Sequence, residues 1–184
     1  MNKTRLVFKS ISEIVGGNGM AVIILTDQEE KRAISLVCDN VMKSQIGLRS
    51  AANGIVPSLL PEVMLSLLKD VTDVGRYEIN IHSIIDGEYR TTIMNLDTLD
   101  LHKIRLSDAV LLSIISRIPI FIDDQLMYRQ SSAYDGRTDR MSIPINTLDK
   151  ASLEEELRKA VHTEDYRLAS QIKDELKRRE KENE

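Results

Sequence analysis

The sequence predicts an α+β fold: a mostly antiparallel sheet with about three packed helices, followed by a C-terminal αα-hairpin. Three patterns point there. Between residues 5 and 37, apolar segments of strand length are separated by turn-forming residues. A second alternating stretch is split by Asp86-Gly87, the pair that tight β-hairpin turns favour. From residue 149 to the end, apolar positions recur at helical spacing in two stripes.

The elements follow in order. RLVFKSISEIV (5–15) reads as a strand, GGNG (16–19) as a turn, MAVIILT (20–26) as a dense apolar strand and AISLV (33–37) as its neighbour, a three-stranded meander. Asp39 then serves as N-cap of a helix with Val41, Met42, Gln45 and Leu48 near one face. Pro61 opens a second helix through Asp70, with Val63, Met64, Leu67 and Leu68 as its apolar face. RYEINIHSIIDGEYRTTIMNL is a hairpin about Asp86-Gly87, and Leu101–Arg105 adds a short strand. RLSDAVLLSIISRIPIFI (105–122) is a helix and a last strand, with Ser113, Ser116 and Arg117 as the helix's narrow solvent stripe. From Arg129 to Asn146 the chain is polar and punctuated by Gly and Pro, a loop or linker. In the C-terminal hairpin, Leu153, Leu157, Ala160 and Val161 form one stripe; Tyr166, Ala169, Ile172 and Leu176 form the other, with Thr163 as N-cap of the second helix. Some 36 residues are too few for a lone core, so this hairpin must pack on the main domain, on a second copy or on another protein.

Composition narrows the function classes. With 42% hydrophobic and 29% charged residues the chain can build a core. Trp is absent and aromatics are 4%, which leaves little for a base-stacking surface. The formal net charge is −4, so no basic excess advertises nucleic-acid binding. A single cysteine, Cys38, rules out an internal disulfide framework and fits a reducing cytoplasm. No apolar run has the length of a signal-peptide core or a membrane span, so a soluble, intracellular protein with no membrane partner is expected.

Candidate chemistry lies in two places. In Arg105-Leu106-Ser107-Asp108, Asp108 has the chemistry of a metal ligand or general base and Arg105 that of a phosphate clamp. The same residues also read structurally: Ser107 caps the helix and Asp108 favours its positive end. Capping says nothing for Arg105, so its partner decides between the two readings. Asp86, Glu88, Asp123 and Asp124 stand at strand ends, where a pair of acids suits a divalent cation and where acids also suit turns. His82, His102 and His162 lack metal-ligand spacing. Cys38 reads as a small buried hydrophobe.

Residues 5–128 resemble the bifunctional nuclease domain family. The family's pattern is an Asp-Gly hairpin with an aromatic two residues later, then Arg-Pro-Ser-Asp-Ala, an apolar helix and a Pro-Ile strand. Asp86, Gly87 and Tyr89 match the first part, Arg105, Ser107, Asp108 and Ala109 the second, and Pro119 and Ile120 the third. Leu106 stands in place of the Pro, the helix after Cys38 lacks the family's Gly-x-x-Glu-Ala opening, and Leu60-Pro61-Glu62 stands where the family has Thr-His-Asp. Residues 149–184 resemble the UVR motif of the UvrB and UvrC repair proteins, through Leu153, Leu157, Ala160, Glu164, Asp165, Tyr166, Ala169, Asp174 and Leu176. That motif is a helical hairpin used for protein–protein contact.

These resemblances imply a nuclease-like domain over residues 1–130, a linker over 131–148 and a UVR-like hairpin over 149–184. The implied activity is hydrolysis of phosphodiester bonds in RNA and DNA with low sequence specificity. With the clustered acids, this makes Asp108, Arg105, Asp86 and Glu88 the catalytic candidates and Mg²⁺ or Mn²⁺ the expected cofactor. The other reading is a non-enzymatic oligomeric adaptor or ligand-binding protein that docks a partner through the hairpin. A sheet covered by helices on one side, with exposed edges, favours homo-oligomers in either case.

Overall fold

A computed structural model describes residues 2–14, 20–51, 54–136 and 144–182. The turn expected at 16–19 and residues 137–143 of the expected linker lie outside the described residues. The fold is α+β, built on one eight-stranded sheet of order β6-β5-β4-β7-β1-β2-β3-β8.

β1 (Lys3–Glu13), β2 (Met20–Asp27) and β3 (Arg32–Asp39) form the expected antiparallel meander. β2 alternates Ala21, Ile23 and Leu25 into the main core with Val22 and Ile24 into a smaller cluster on the opposite face, where Ala33 and Tyr134 join them. A strand buried on both faces needs an unbroken apolar run, which is why MAVIIL shows no polar alternation. The sheet is therefore not bare on its second face at this point, contrary to the one-sided cover expected.

α1 (Asn40–Ser50) starts where Asp39 accepts from the Met42 amide at 2.7 Å, the cap expected. α2 (Leu60–Lys69) has Pro61 in its first turn. β4 (Tyr77–Ile85) and β5 (Glu88–Asn95) are the Asp-Gly hairpin, with β6 (Leu101–Ile104) antiparallel at the sheet's edge. α3 (Leu106–Ser116) then crosses to β7 (Ile120–Asp123), which enters between β4 and β1 and runs parallel to β4. Ile120 and Ile122 of β7 meet Ile79 and Ile81 of β4 in the core, under Ala109 and Val110 of α3 and Ile46 of α1.

Several local expectations are corrected. Ser107 is not the cap of α3: Arg105 occupies that position in extended backbone, without a side-chain cap bond. Ser113 and Ser116 are not a solvent stripe. Ser113 donates to the Ile118 carbonyl, and buried Ser116 accepts from the Ile118 amide, so both serve the helix's end. Arg117 turns the chain there with φ of 67°. Asp123 and Asp124 do more than end a strand: Asp123 caps α4 (Asp124–Gln130) through the Gln125 and Leu126 amides. Ser132 and Ala133, in the segment expected to be linker, form β8 against β3; a two-residue edge strand is too short to show periodicity.

α5 (Lys150–His162) and α6 (Tyr166–Glu182) form the C-terminal hairpin, with Leu153, Ala160, Ala169 and Ile172 buried. Thr163 is the C-cap of α5, not the N-cap of α6; Asp165 meets the first turn of α6 through the Leu168 amide. Arg179 of α6 is buried, is held by Glu175, and donates to the carbonyls of Leu148 and Asn146.

Candidate functional site

Asp86 and Gly87 both have positive φ, 54° and 83°, which is the backbone of a tight hairpin turn. The turn brings β5 back beside β4, and the β5–β6 register sets Thr92 opposite Lys103. Arg90 and Thr92 share a face of β5 by the two-residue period, and Lys103 joins them from β6. β6 runs on through Arg105 into α3. The result is an open cleft of about 900 Å³ whose lining includes Glu88, Tyr89, Arg90, Lys103, Arg105 and Thr147.

Arg105 finds its partner in Asp108: Nε donates to Oδ2 at 2.7 Å and Nη2 to Oδ1 at 3.2 Å. The hydrogen bond and charge of Asp108 push the guanidinium further above its ordinary range. The pair is open to water, with side-chain exposures of 73% and 36%, so little of its attraction is felt as stability. Asp108 is in the first turn of α3, as expected, where a carboxylate favours the positive helix end.

Of the four candidates, Arg105 and Glu88 line the cleft together. Asp108 is joined to it through Arg105, whereas Asp86 belongs to the turn and is not part of the lining. Glu88 is itself 3.3 Å from Arg90. Asp123 caps α4 and Asp124 accepts from Thr4 at 2.7 Å, so neither joins this group. Among the described residues, no three His, Cys, Asp or Glu side chains converge as a metal ion requires. His82 bonds Thr92 at 2.6 Å, while His102 lies on β6 and His162 in the last turn of α5.

On the opposite, core-facing side of β5, the hydroxyls of Tyr89 and Thr91 are buried without a hydrogen-bond partner among the described residues, and both residues line the cleft. Burial pushes the Tyr89 phenol well above its ordinary range, so it stays protonated and able to donate. Cys38 is buried, and its thiol is pushed up to about 11 by burial and by the charge of Asp39. That fits a structural role and not a nucleophilic one.

Sequence reasoning missed Lys103, Arg90 and Thr147. The period-two spacing of Glu88, Arg90 and Thr92 signals a shared face, but pairing with Lys103 depends on a register the sequence does not state. Thr147 comes from the C-terminal end of the expected linker.

The model of the bifunctional nuclease domain family matches residues 23–135, more than half of the chain. Curated proteins give no match.

Proposed function

Because the chain belongs to the bifunctional nuclease domain family, we propose that it hydrolyses phosphodiester bonds in RNA and DNA with low sequence specificity, in the cleft at the start of α3. The observation that carries this reading is the gathering of Arg90, Lys103 and Arg105 in one cleft of a chain whose net charge is −4. Cations so placed neutralise a phosphate and favour a pentacoordinate transition state. No ion pair holds Lys103 among the described residues, and Arg105 exchanges Asp108 for the phosphate. Glu88 is the carboxylate that lines the cleft, suited to take a proton from the attacking water. Among the described residues no three His, Cys, Asp or Glu side chains form a ligand set for Mg²⁺ or Mn²⁺, so no step is routed through a metal. Residues 149–184 are the protein-contact module of UVR type, in a cytoplasmic protein that self-associates.

The test is cleavage of RNA and single-stranded DNA by the full chain, with and without EDTA. Wild type cleaves; Lys103→Ala and Arg105→Ala lower the rate at least 10-fold, in line with loss of a transition-state contact. Asp108→Asn keeps binding, or strengthens it by releasing Arg105. An inactive, metal-supplied wild type sinks the enzyme.

The second reading is a non-enzymatic adaptor that docks a partner through the hairpin. It is favoured by the commitment of Arg105 to Asp108 and by the lack of converging acids among the described residues. Deleting residues 149–184 then abolishes partner capture.

A further inference from the structure

α2 is anchored by little and exposes much. Leu65 is its buried residue, and Glu62 ties it to Arg49 of α1. Leu60, Val63, Met64, Leu67 and Leu68 of the helix, with Val71 in the turn after it, are between 40% and 85% exposed. At 100° per residue these six positions fall within one continuous stripe. Apolar side chains so concentrated mark a contact surface in a soluble chain.

We propose that this stripe is a self-association surface, and that two copies of the chain pack α2 against α2 antiparallel about a two-fold axis. The spacing supports this occupant. From either end, the stripe reads three, one, three, one and three residues. An antiparallel partner in register therefore sets Leu60 against Val71, Val63 against Leu68 and Met64 against Leu67, each twice. A two-fold contact needs such a self-complementary patch. Charge agrees. The N-terminus of α2 has no side-chain cap, and antiparallel packing brings the exposed Asp70 of one copy to the positive helix end of the other. The helix dipoles are also opposed. This surface belongs to the self-association proposed above and does not depend on nuclease activity.

Sedimentation of the full chain tests the state, and cysteine crosslinking tests the geometry. Wild type sediments at twice its 20.9 kDa monomer mass. Met64→Glu sediments as a folded monomer, its dissociation constant raised about 100-fold or more by a charge forced into an apolar contact. The variant Met64→Cys/Leu67→Cys forms a covalent dimer on mild oxidation, with Cys38 buried out of reach. Leu60→Cys alone does not, because antiparallel packing holds its two copies roughly 17 Å apart along the helix. A monomeric wild type, a Met64→Glu dimer, or crosslinking through Leu60→Cys each overturns the proposal. Loss of cleavage with an intact dimer bears on the nuclease reading alone.

Discussion

Arg179 donates through Nη1 to the carbonyl of Leu148 at 2.8 Å, and that carbonyl rests directly on Gly87 at the tip of the β4–β5 turn. The C-terminal hairpin is thereby tied to the segment that supplies Thr147 to the cleft. Gly87 permits the approach: it has φ of 83°, and an added Cβ would meet the Leu148 backbone. Gly87→Ala therefore carries two penalties, a strained φ and a backbone collision, together about 2–3 kcal/mol. Denaturant unfolding should show that loss, and hydrogen exchange should rise at residues 146–148 and in α6.

The Arg105–Asp108 pair should matter for ligands and not for folding. Both groups are exposed, so Arg105→Ala should change stability by less than about 1 kcal/mol. Oligonucleotide binding by the same variant should weaken and lose part of its salt dependence, since one phosphate contact is removed. A large fall in melting temperature would mark Arg105 as structural.

Glu62, the last residue of the Leu60-Pro61-Glu62 stretch, has a structural task. Arg49 grips it through two bonds of 2.7 and 2.8 Å, with side-chain exposures of 4% and 15%. Truncation leaves a buried guanidinium short of its partner. Glu62→Ala should cost about 3 kcal/mol, with faster hydrogen exchange in α2, which has little else to hold it.

Acid should loosen the hairpin. Burial raises the Glu175 carboxyl, but hydrogen bonds and charge from Arg178 and Arg179 outweigh it, and the net shift is below the ordinary 4.5. A carboxylate depressed in the folded state contributes stability that is whole above about pH 5 and lost as pH falls through its folded value. Protection factors of α6 amides, taken against the intrinsic exchange rate at each pH, should therefore fall below about pH 4.5 in wild type, and Glu175→Gln should flatten that part of the profile.

The fold was legible where one residue type does one job. Apolar runs marked β1 to β3, Asp-Gly marked the β4–β5 turn, and two helical stripes marked α5 and α6. Residues with several uses misled. Ser107, Thr163, Ser113 and Ser116 can each cap, donate or face water, and which use each takes depends on where its helix begins or ends. Two catalytic candidates, Arg105 and Glu88, line the same cleft, while Asp86 was claimed by turn geometry.

Local chemistry in the sequence determined the α+β class, the helical hairpin and the cap at Asp39, because periodicity and capping act within a few residues. Only tertiary structure decided that Lys103 joins Glu88 and Arg90 in a cleft and that Leu148 reaches Gly87. Those relationships depend on strand register, on the crossover that inserts β7, and on a close approach between residues 61 positions apart. None of these is encoded by spacing along the chain.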